Sequence, residues 1–363
     1  MELKELIVHQ RPRENSGSRS SNRFNFQQDW VICKIIELYK ANEEFLILLD
    51  YHDDVVVMDK EHNPDKLSFY QIKTKKSGNW TINSLLSRRK GKTGRLPSIL
   101  GKLYSCKLSF PKHTLSLNFV SNAFFNVKLQ SKEQSANKKE ICFNEVNKKD
   151  IDKIVNKIME EHSLNVQPDF IDITFLQVTN LNINDREIYV RGKLSSFLEE
   201  MNPNGKFKIG LIYRTIFDEV KRKTNYEYDI ENFNDLIKHK SIGKSNFTTM
   251  LRNFDIDNKA EQMWNYTETL LTREGVSINE TLDLKASWDK YEVDKMDLSN
   301  TYLLSIQTKV RDIVKSYRKE GKITQLNAQL IIPAYKKFID KQPDCVFEKP
   351  YIKAIILMEF YEL

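Results

Sequence analysis

The chain has 363 residues, 40% of them hydrophobic and 11% aromatic, which is enough to fill two cores, with a third within range. It contains no run of about 18 apolar residues, so no membrane span and no membrane partner is expected. Residues 1–23 lack the apolar stretch of a secretory signal. The four cysteines, Cys33, Cys106, Cys142 and Cys345, are scattered with no C-x-x-C pair. That spacing points away from zinc and toward a reduced, cytoplasmic protein.

Residues 1–23 are polar and end in a Ser-, Asn- and Arg-rich run that reads as a loop. Phe26, Trp30, Val31, Ile35 and Leu38 then recur at helical spacing and predict a first helix over 24–42. A short apolar strand over 45–49 follows. His52 and Asp53 turn the chain into a second strand at 55–58, Asn63-Pro64-Asp65 makes the next turn, and 67–74 alternates as a third strand. Two helices are expected at 82–89 and 98–108, then a fourth strand at 115–120. A Lys-rich polar stretch (131–139), a helix over 147–161 and a strand over 171–178 complete this half. From about Asn180 onward the pattern is helical, as at 188–201, 207–222, 296–318, 323–339 and 349–361. A domain boundary is therefore expected near 180, giving 1–180 and 181–363. No internal repeat is visible.

Charge is unevenly placed. The chain carries 57 basic and 50 acidic residues, a net +7, but 66–132 holds 14 Lys or Arg and no Asp or Glu. Without that segment 43 basic and 50 acidic residues remain. So local an excess suits a polyanion partner better than a merely solvated surface.

The segment begins just before a pattern with chemical meaning. Asp54 opens the apolar strand Val55-Val56-Val57-Met58, and Gln71-Ile72-Lys73 lies within the next strand. Gln71 and Lys73, two residues apart, share a face of that strand. Phosphodiester hydrolysis needs charge on phosphate stabilised, a water deprotonated and a leaving oxygen assisted, and a bound Mg²⁺ can serve all three. Magnesium favours hard oxygen ligands. Asp54 supplies a carboxylate, Gln71 or its neighbouring carbonyl a second oxygen, and Lys73 an ammonium for phosphate or water. Mn²⁺ would serve in place of Mg²⁺. Asp50 is an accessory carboxylate, and Gln27 on the first helix an outer ligand. An Asp before a Val run is by itself an ordinary turn residue, and Gln-x-Lys an ordinary solvent-facing alternation; the ordered pair after an amphipathic helix carries the reading.

Lys75 and Lys76 extend the Gln71–Lys73 strand toward a bound phosphate. Arg88, Arg89, Lys90, Lys92 and Arg95 cluster around Gly91 and Gly94, whose freedom lets a loop approach a backbone closely; Lys102 follows. Gly91-Lys92-Thr93 lacks the G-x-x-x-x-G-K-[ST] pattern of a P-loop. Such residues position a duplex without reading its bases.

Taken in order, Arg13, Ser16-Gly17, Arg23-Phe24, Phe26-Gln27, Asp50-Tyr51-His52-Asp53-Asp54-Val55, Phe69-Tyr70-Gln71-Ile72-Lys73-Thr74, Trp80, 98–103 and Phe119-Val120-Ser121-Asn122 resemble the CD-NTase-associated double-stranded DNA endonucleases. These are Mrr-like PD-(D/E)XK nucleases, effectors of bacterial anti-phage systems. The resemblance covers 11–122 and fades by about 180. It implies a restriction-endonuclease-like α/β domain with an αβββαβ core, followed here by an α-helical C-terminal domain. It also implies Mg²⁺-dependent cleavage of double-stranded DNA, with Asp54, Gln71 and Lys73 at the motif positions. Asp50 stands where the family pattern has Glu. The C-terminal half shows no sign of a cyclic-nucleotide sensor. It looks more like the nuclease subunits of Lamassu-type systems, which work with an SMC-like ATPase, or of systems with a HerA-like ATPase. Control by such a partner and by homo-oligomer assembly is the expectation. An inactive DNA-binding scaffold and an RNA-cleaving toxin on the same core are the alternatives.

Overall fold

The structure, a computed structural model, describes residues 4–5, 21–91, 94–203, 205, 207–254, 257–295, 297, 300–320 and 323–362. Arg13, Ser16, Gly17 and Lys92 lie outside the described residues. By contact density the chain forms two compact units, one of 1–197 with 216–247, the other of 198–215 with 248–363.

The first unit is built on a mixed seven-stranded sheet. In chain order its elements are α1 (Ser21–Lys40), β1 (Leu46–Tyr51), β2 (Asp53–Met58), β3 (Leu67–Lys73), β4 (Trp80–Thr81), α2 (Ile82–Leu85), α3 (Ile99–Ser109), β5 (Thr114–Ser121) and β6 (Phe125–Asn126). Then come β7 (Glu140–Cys142), α4 (Lys148–His162), β8 (Thr174–Val178), α5 (Arg186–Met201), α6 (Ile209–Thr224), α7 (Phe233–Lys240), β9 (Ser241–Gly243) and α8 (Lys244–Phe254), of which α5, α6 and α8 are shared with the second unit. The sheet order is β7-β8-β5-β3-β2-β1-β9, and β4 and β6 form a separate small pair.

β3 sits centrally, antiparallel to β2 and parallel to β5. Its first six residues are buried, as befits a strand covered on both faces. Val56, Met58, Leu67 and Phe69 point to one face, where they join Leu100 and Leu103 of α3 and Ile154 and Ile158 of α4. Tyr70 points to the other face, with its ring 5.1 Å from that of Trp30 on α1.

Two expectations are corrected. The helix expected over 82–89 is a single turn, Ile82–Leu85, closed by a reciprocal Thr81–Ser84 capping box. Beyond it the backbone doubles back: Lys90 bridges Arg95, and Leu96 N–H donates to the Arg89 carbonyl at 2.8 Å. The stretch after 180 is also not wholly helical. β9 pairs antiparallel with β1, Leu46 opposite Gly243 and Leu48 opposite Ser241. Three residues are too few to show a period of two, so only the partner strand reveals them. No helix among the described residues is long and apolar enough to cross a membrane.

The second unit is helical, with α9 (Asp257–Arg273), α10 (Ile278–Asp294), α11 (Thr301–Glu320), α12 (Ile332–Lys341) and α13 (Lys349–Glu362). α13 packs against α10, α11 and α12 and is buried from Tyr351 to Glu359. A helix buried on all sides in this way belongs at a core, with Lys353 and Glu359 as its buried charged members. On α10, Glu292 is 7% exposed and its Oε1 has no hydrogen-bond partner. Burial raises its carboxyl above the ordinary range, with Lys295 opposing. Below the ordinary carboxylate pKa both folded and unfolded chains hold the proton and nothing is lost. As pH rises, the unfolded chain ionises first and folding stability falls. Glu292→Gln should therefore raise the thermal midpoint at pH 7–8 and leave it nearly unchanged near pH 4, as followed by circular dichroism.

Candidate active site

Strand alternation builds the site. With Val55 opposite Tyr70, Asp54 falls beside Gln71 at the end of the β2–β3 ladder. Asp54, Val56 and Met58 share one face of β2, and Phe69, Gln71 and Lys73 share the same face of β3. The apolar members enter the core and the polar members are left at its edge.

The polar groups meet at close range. Lys73 Nζ lies 3.0 Å from Asp54 Oδ2 and 3.4 Å from Oδ1, and the Ile72 N–H donates to Oδ2 at 2.7 Å. Burial opposes the charge on Lys73, but Asp54 first, then Asp53 and Asp50, hold its ammonium above the ordinary pKa. Asp53 Oδ1 accepts the Asp54 N–H at 2.9 Å and a long 3.5 Å contact from Gln71 Nε2, while the Cys106 thiol lies 3.5 Å from Asp53 Oδ2. Asp50, His52, Asp53, Asp54, Gln71, Leu96, Pro97 and Lys102 line one cavity of about 240 Å³.

The hairpin tip is strained. Asp50 and His52 hold left-handed φ of +48° and +68°. Each such position costs about 1–3 kcal/mol and persists only where the surroundings impose it. His52 is wedged edge-on between the rings of Tyr51 (4.8 Å) and Phe110 (4.9 Å), which makes it a packing residue. Burial pushes the Asp50 carboxyl up to about 6; Lys240 pulls it down, Asp54 adds to the rise and Lys73 opposes it.

Gln27 does not line the cavity. Its Nε2 donates to the Ile72 carbonyl at 3.1 Å, so it steadies the peptide between Gln71 and Lys73. Among the described residues no three His, Cys, Asp or Glu side chains form a metal-binding group. Any metal here would need amide, backbone or external oxygens beside carboxylate. Gln71 Oε1 offers one: it is buried and accepts no hydrogen bond. A buried oxygen without a donor is costly, and a hard cation would satisfy it. The chemistry of this oxygen donor set is compatible with a hard divalent cation such as Mg²⁺ or Mn²⁺.

The basic residues divide by role. Lys75 folds back, with Nζ on the Asn79 carbonyl at 2.6 Å and 4.4 Å from the Trp80 ring centroid. Arg88 donates to the Leu96 and Arg95 carbonyls at 3.2 and 3.0 Å and so ties its loop together. Lys76, Arg89, Lys90 and Arg95 are exposed. The loop's end, Leu96-Pro97, forms part of the cavity wall, and Lys102 of α3 stands on the same wall. If the loop meets DNA, replacing Arg89, Lys90 and Arg95 together by Gln should remove about three units from the log–log salt slope of duplex binding. Arg88→Gln should instead loosen the loop and speed its proteolysis, with less change in slope.

A family model described as "Cap4, dsDNA endonuclease domain" matches residues 15–224, more than half of the chain. The chain belongs to this endonuclease-domain family. The matched span contains Asp50, Asp53, Asp54, Gln71 and Lys73, and also the loop of 88–97. Lamassu protein LmuA of Bacillus cereus (strain VD014) is 25% identical over 245 residues, 66% of this chain and 65% of that protein. The match thus spans slightly less than two thirds of that relative. No solved structure matches.

Three features of the site escape sequence reasoning. Leu96 and Pro97 reach the cavity through a turn held by Arg88. Cys106 touches Asp53 across 53 residues. Lys240 comes from 190 residues beyond Asp50. None has a local pattern that could have announced it.

Proposed function

We propose that the chain is a metal-dependent double-stranded DNA endonuclease of the PD-(D/E)XK type, acting as an effector of a bacterial anti-phage defence system. The observation that carries this reading is that Asp54 and Gln71 line one cavity with the Lys73 ammonium 3.0 Å from Asp54 Oδ2, within a domain of the Cap4 endonuclease family. Bound Mg²⁺ would stabilise charge on the phosphate and lower the pKa of a bound water. Asp54 and Gln71 would hold it, with Asp50 as an accessory carboxylate.

The chain's own groups do the rest. Lys73, held 3.0 Å from Asp54 and so kept charged, presents an ammonium that neutralises a phosphate oxygen or orients the attacking water. Lys102 adds a second cation on the cavity wall. The exposed residues of the 88–97 loop track the duplex backbone and hold it against the site. Gln27 and the Ile72 peptide keep the Gln71–Lys73 spacing fixed.

A nuclease with little base readout needs restraint. The likeness to a Lamassu protein favours control by a partner ATPase, SMC-like rather than HerA-like, with the helical residues beyond about 180 as docking surface. Cutting both strands needs two sites or two successive nicks, which favours a homo-oligomer as the active form. The deciding experiment incubates the full chain, alone and with its ATPase partner, with supercoiled plasmid, linear duplex and RNA in Mg²⁺, Mn²⁺ or EDTA. Linearised plasmid in either metal and intact DNA in EDTA are expected. Binding without cutting would make the chain a scaffold, and cutting of RNA alone would make it a toxin; either result overturns the proposal.

A further inference from the structure

Six consecutive residues, 240–245, fasten onto the strands that carry the acids. Ser241–Gly243 pair with Leu48–Leu46. Lys244 N–H donates to the Phe45 carbonyl at 3.2 Å, and its ammonium reaches Asn42 Oδ1 at 3.2 Å and Glu44 Oε1 at 3.1 Å. Glu61, just beyond β2, accepts both the N–H and the hydroxyl of Ser245. Gly243 lies so close to this carboxylate that an added Cβ would stand 2.6 Å from its carbon, so the fit there requires glycine or a displaced Glu61.

At the head of the run stands Lys240, 6% exposed. A buried ammonium persists only where oxygens repay its lost hydration. Lys240 Nζ donates to the Thr224 carbonyl at 2.9 Å and lies 3.5 Å from the Asp50 carbonyl. Thr224 is the last residue of α6, so its carbonyl belongs to the negative end of that helix. Asp50 is the residue held at φ +48°. Left-handed backbone of this kind persists where surrounding contacts over-determine it, and β9 with Lys240 supplies such contacts on the free edge of β1.

We propose that Lys240 is a positioning residue for the acidic hairpin. By holding the Asp50 backbone from the end of α7, with its ammonium also bonded to the last carbonyl of α6, it fixes the tip that presents Asp50, Asp53 and Asp54 to the cavity. It lies beyond the span of the family match, which ends at 224. Its catalytic consequence rests on the nuclease reading, whereas its structural consequence does not.

The test uses the full chain as wild type, Lys240→Met, Lys240→Gln and Lys240→Arg. Lys240→Gln, which keeps a donor for Thr224, is run beside the methionine variant so that the comparison does not hang on the folding of one protein. The first readout is amide hydrogen exchange. Residues 49–55 should exchange at least about ten-fold faster in the Met and Gln variants, β5 should be unchanged, and Arg should restore protection. Unchanged exchange at 49–55, or a rise shared equally by β5, overturns the proposal. The second readout is cleavage at saturating duplex, which should fall about ten- to a hundred-fold, as for supporting groups around a metal site. Duplex affinity should stay within about two-fold, because Lys240 is buried and offers little surface to a duplex. Full cleavage by Lys240→Met overturns the proposal. A wild type that cuts nothing would defeat the nuclease reading, and the exchange comparison would then judge the clamp by itself.

Discussion

Lys73→Ala and Asp54→Ala are each expected to abolish DNA cleavage while leaving the fold intact. Among the described residues, the ammonium in contact with Asp54 is that of Lys73, at 3.0 Å. Its removal takes away both a phosphate-neutralising charge and the group that orients Asp54. Asp54→Ala removes the carboxylate that accepts the Ile72 N–H and Lys73 together. Losses of about a hundred- to ten-thousand-fold in single-turnover rate are expected, the range for a lost group acting directly on the reacting atoms. Both side chains lie at the edge of the core, so the thermal midpoint should move little. Full activity in Lys73→Ala would sink the nuclease assignment.

The second large effect concerns stability. Glu359 is fully buried on α13. Its carboxylate accepts from Arg311 Nε, from Gln307 Nε2 at 2.9 Å and from the Tyr291 hydroxyl at 3.4 Å. Arg311→Met strips the balancing charge and leaves a carboxylate in the core with neutral donors only. Breaking a buried pair in this way costs about 3–5 kcal/mol. Arg311 itself is 40% exposed, so the low end, about 3 kcal/mol, is expected in denaturant titration. Adding Glu359→Gln to Arg311→Met should recover part of the loss, because the orphaned charge is then gone. Additive losses would show that the two side chains do not act as a pair.

Much of this architecture is legible in the residues. Val55 to Met58 and Leu67 to Lys73 read as strands because apolar side chains recur there with the pleat's period. The same alternation puts Gln71 and Lys73 on one face, and the order of Asp54 before them on the preceding strand suffices to bring the three together. The α1 stripe of Phe26, Trp30 and Ile35 is legible for the corresponding helical reason. What is not legible is non-local. β9 is three residues long and is a strand only because β1 offers it a partner. The helix expected through Arg89 stops at Leu85 because the Thr81–Ser84 box makes a closed turn and the Arg88 guanidinium bonds the carbonyls of the returning chain. Asp50 and Asp54 could be ranked from sequence, but the left-handed tip that aims them depends on contacts 190 residues away.

That distance has a meaning during synthesis. Strand β1 is made early, and its outer edge has no partner until Ser241–Gly243 are translated. A ribosome adds about 5–20 residues per second, so some 190 residues take roughly 10–40 s. Over that interval the nascent sheet carries an open edge, the feature by which strands pair with foreign chains. The acidic tip is also without its far-side support until the same moment. A fragment ending near 180 would hold that immature condition permanently, and should collect in inclusion bodies when the intact chain does not.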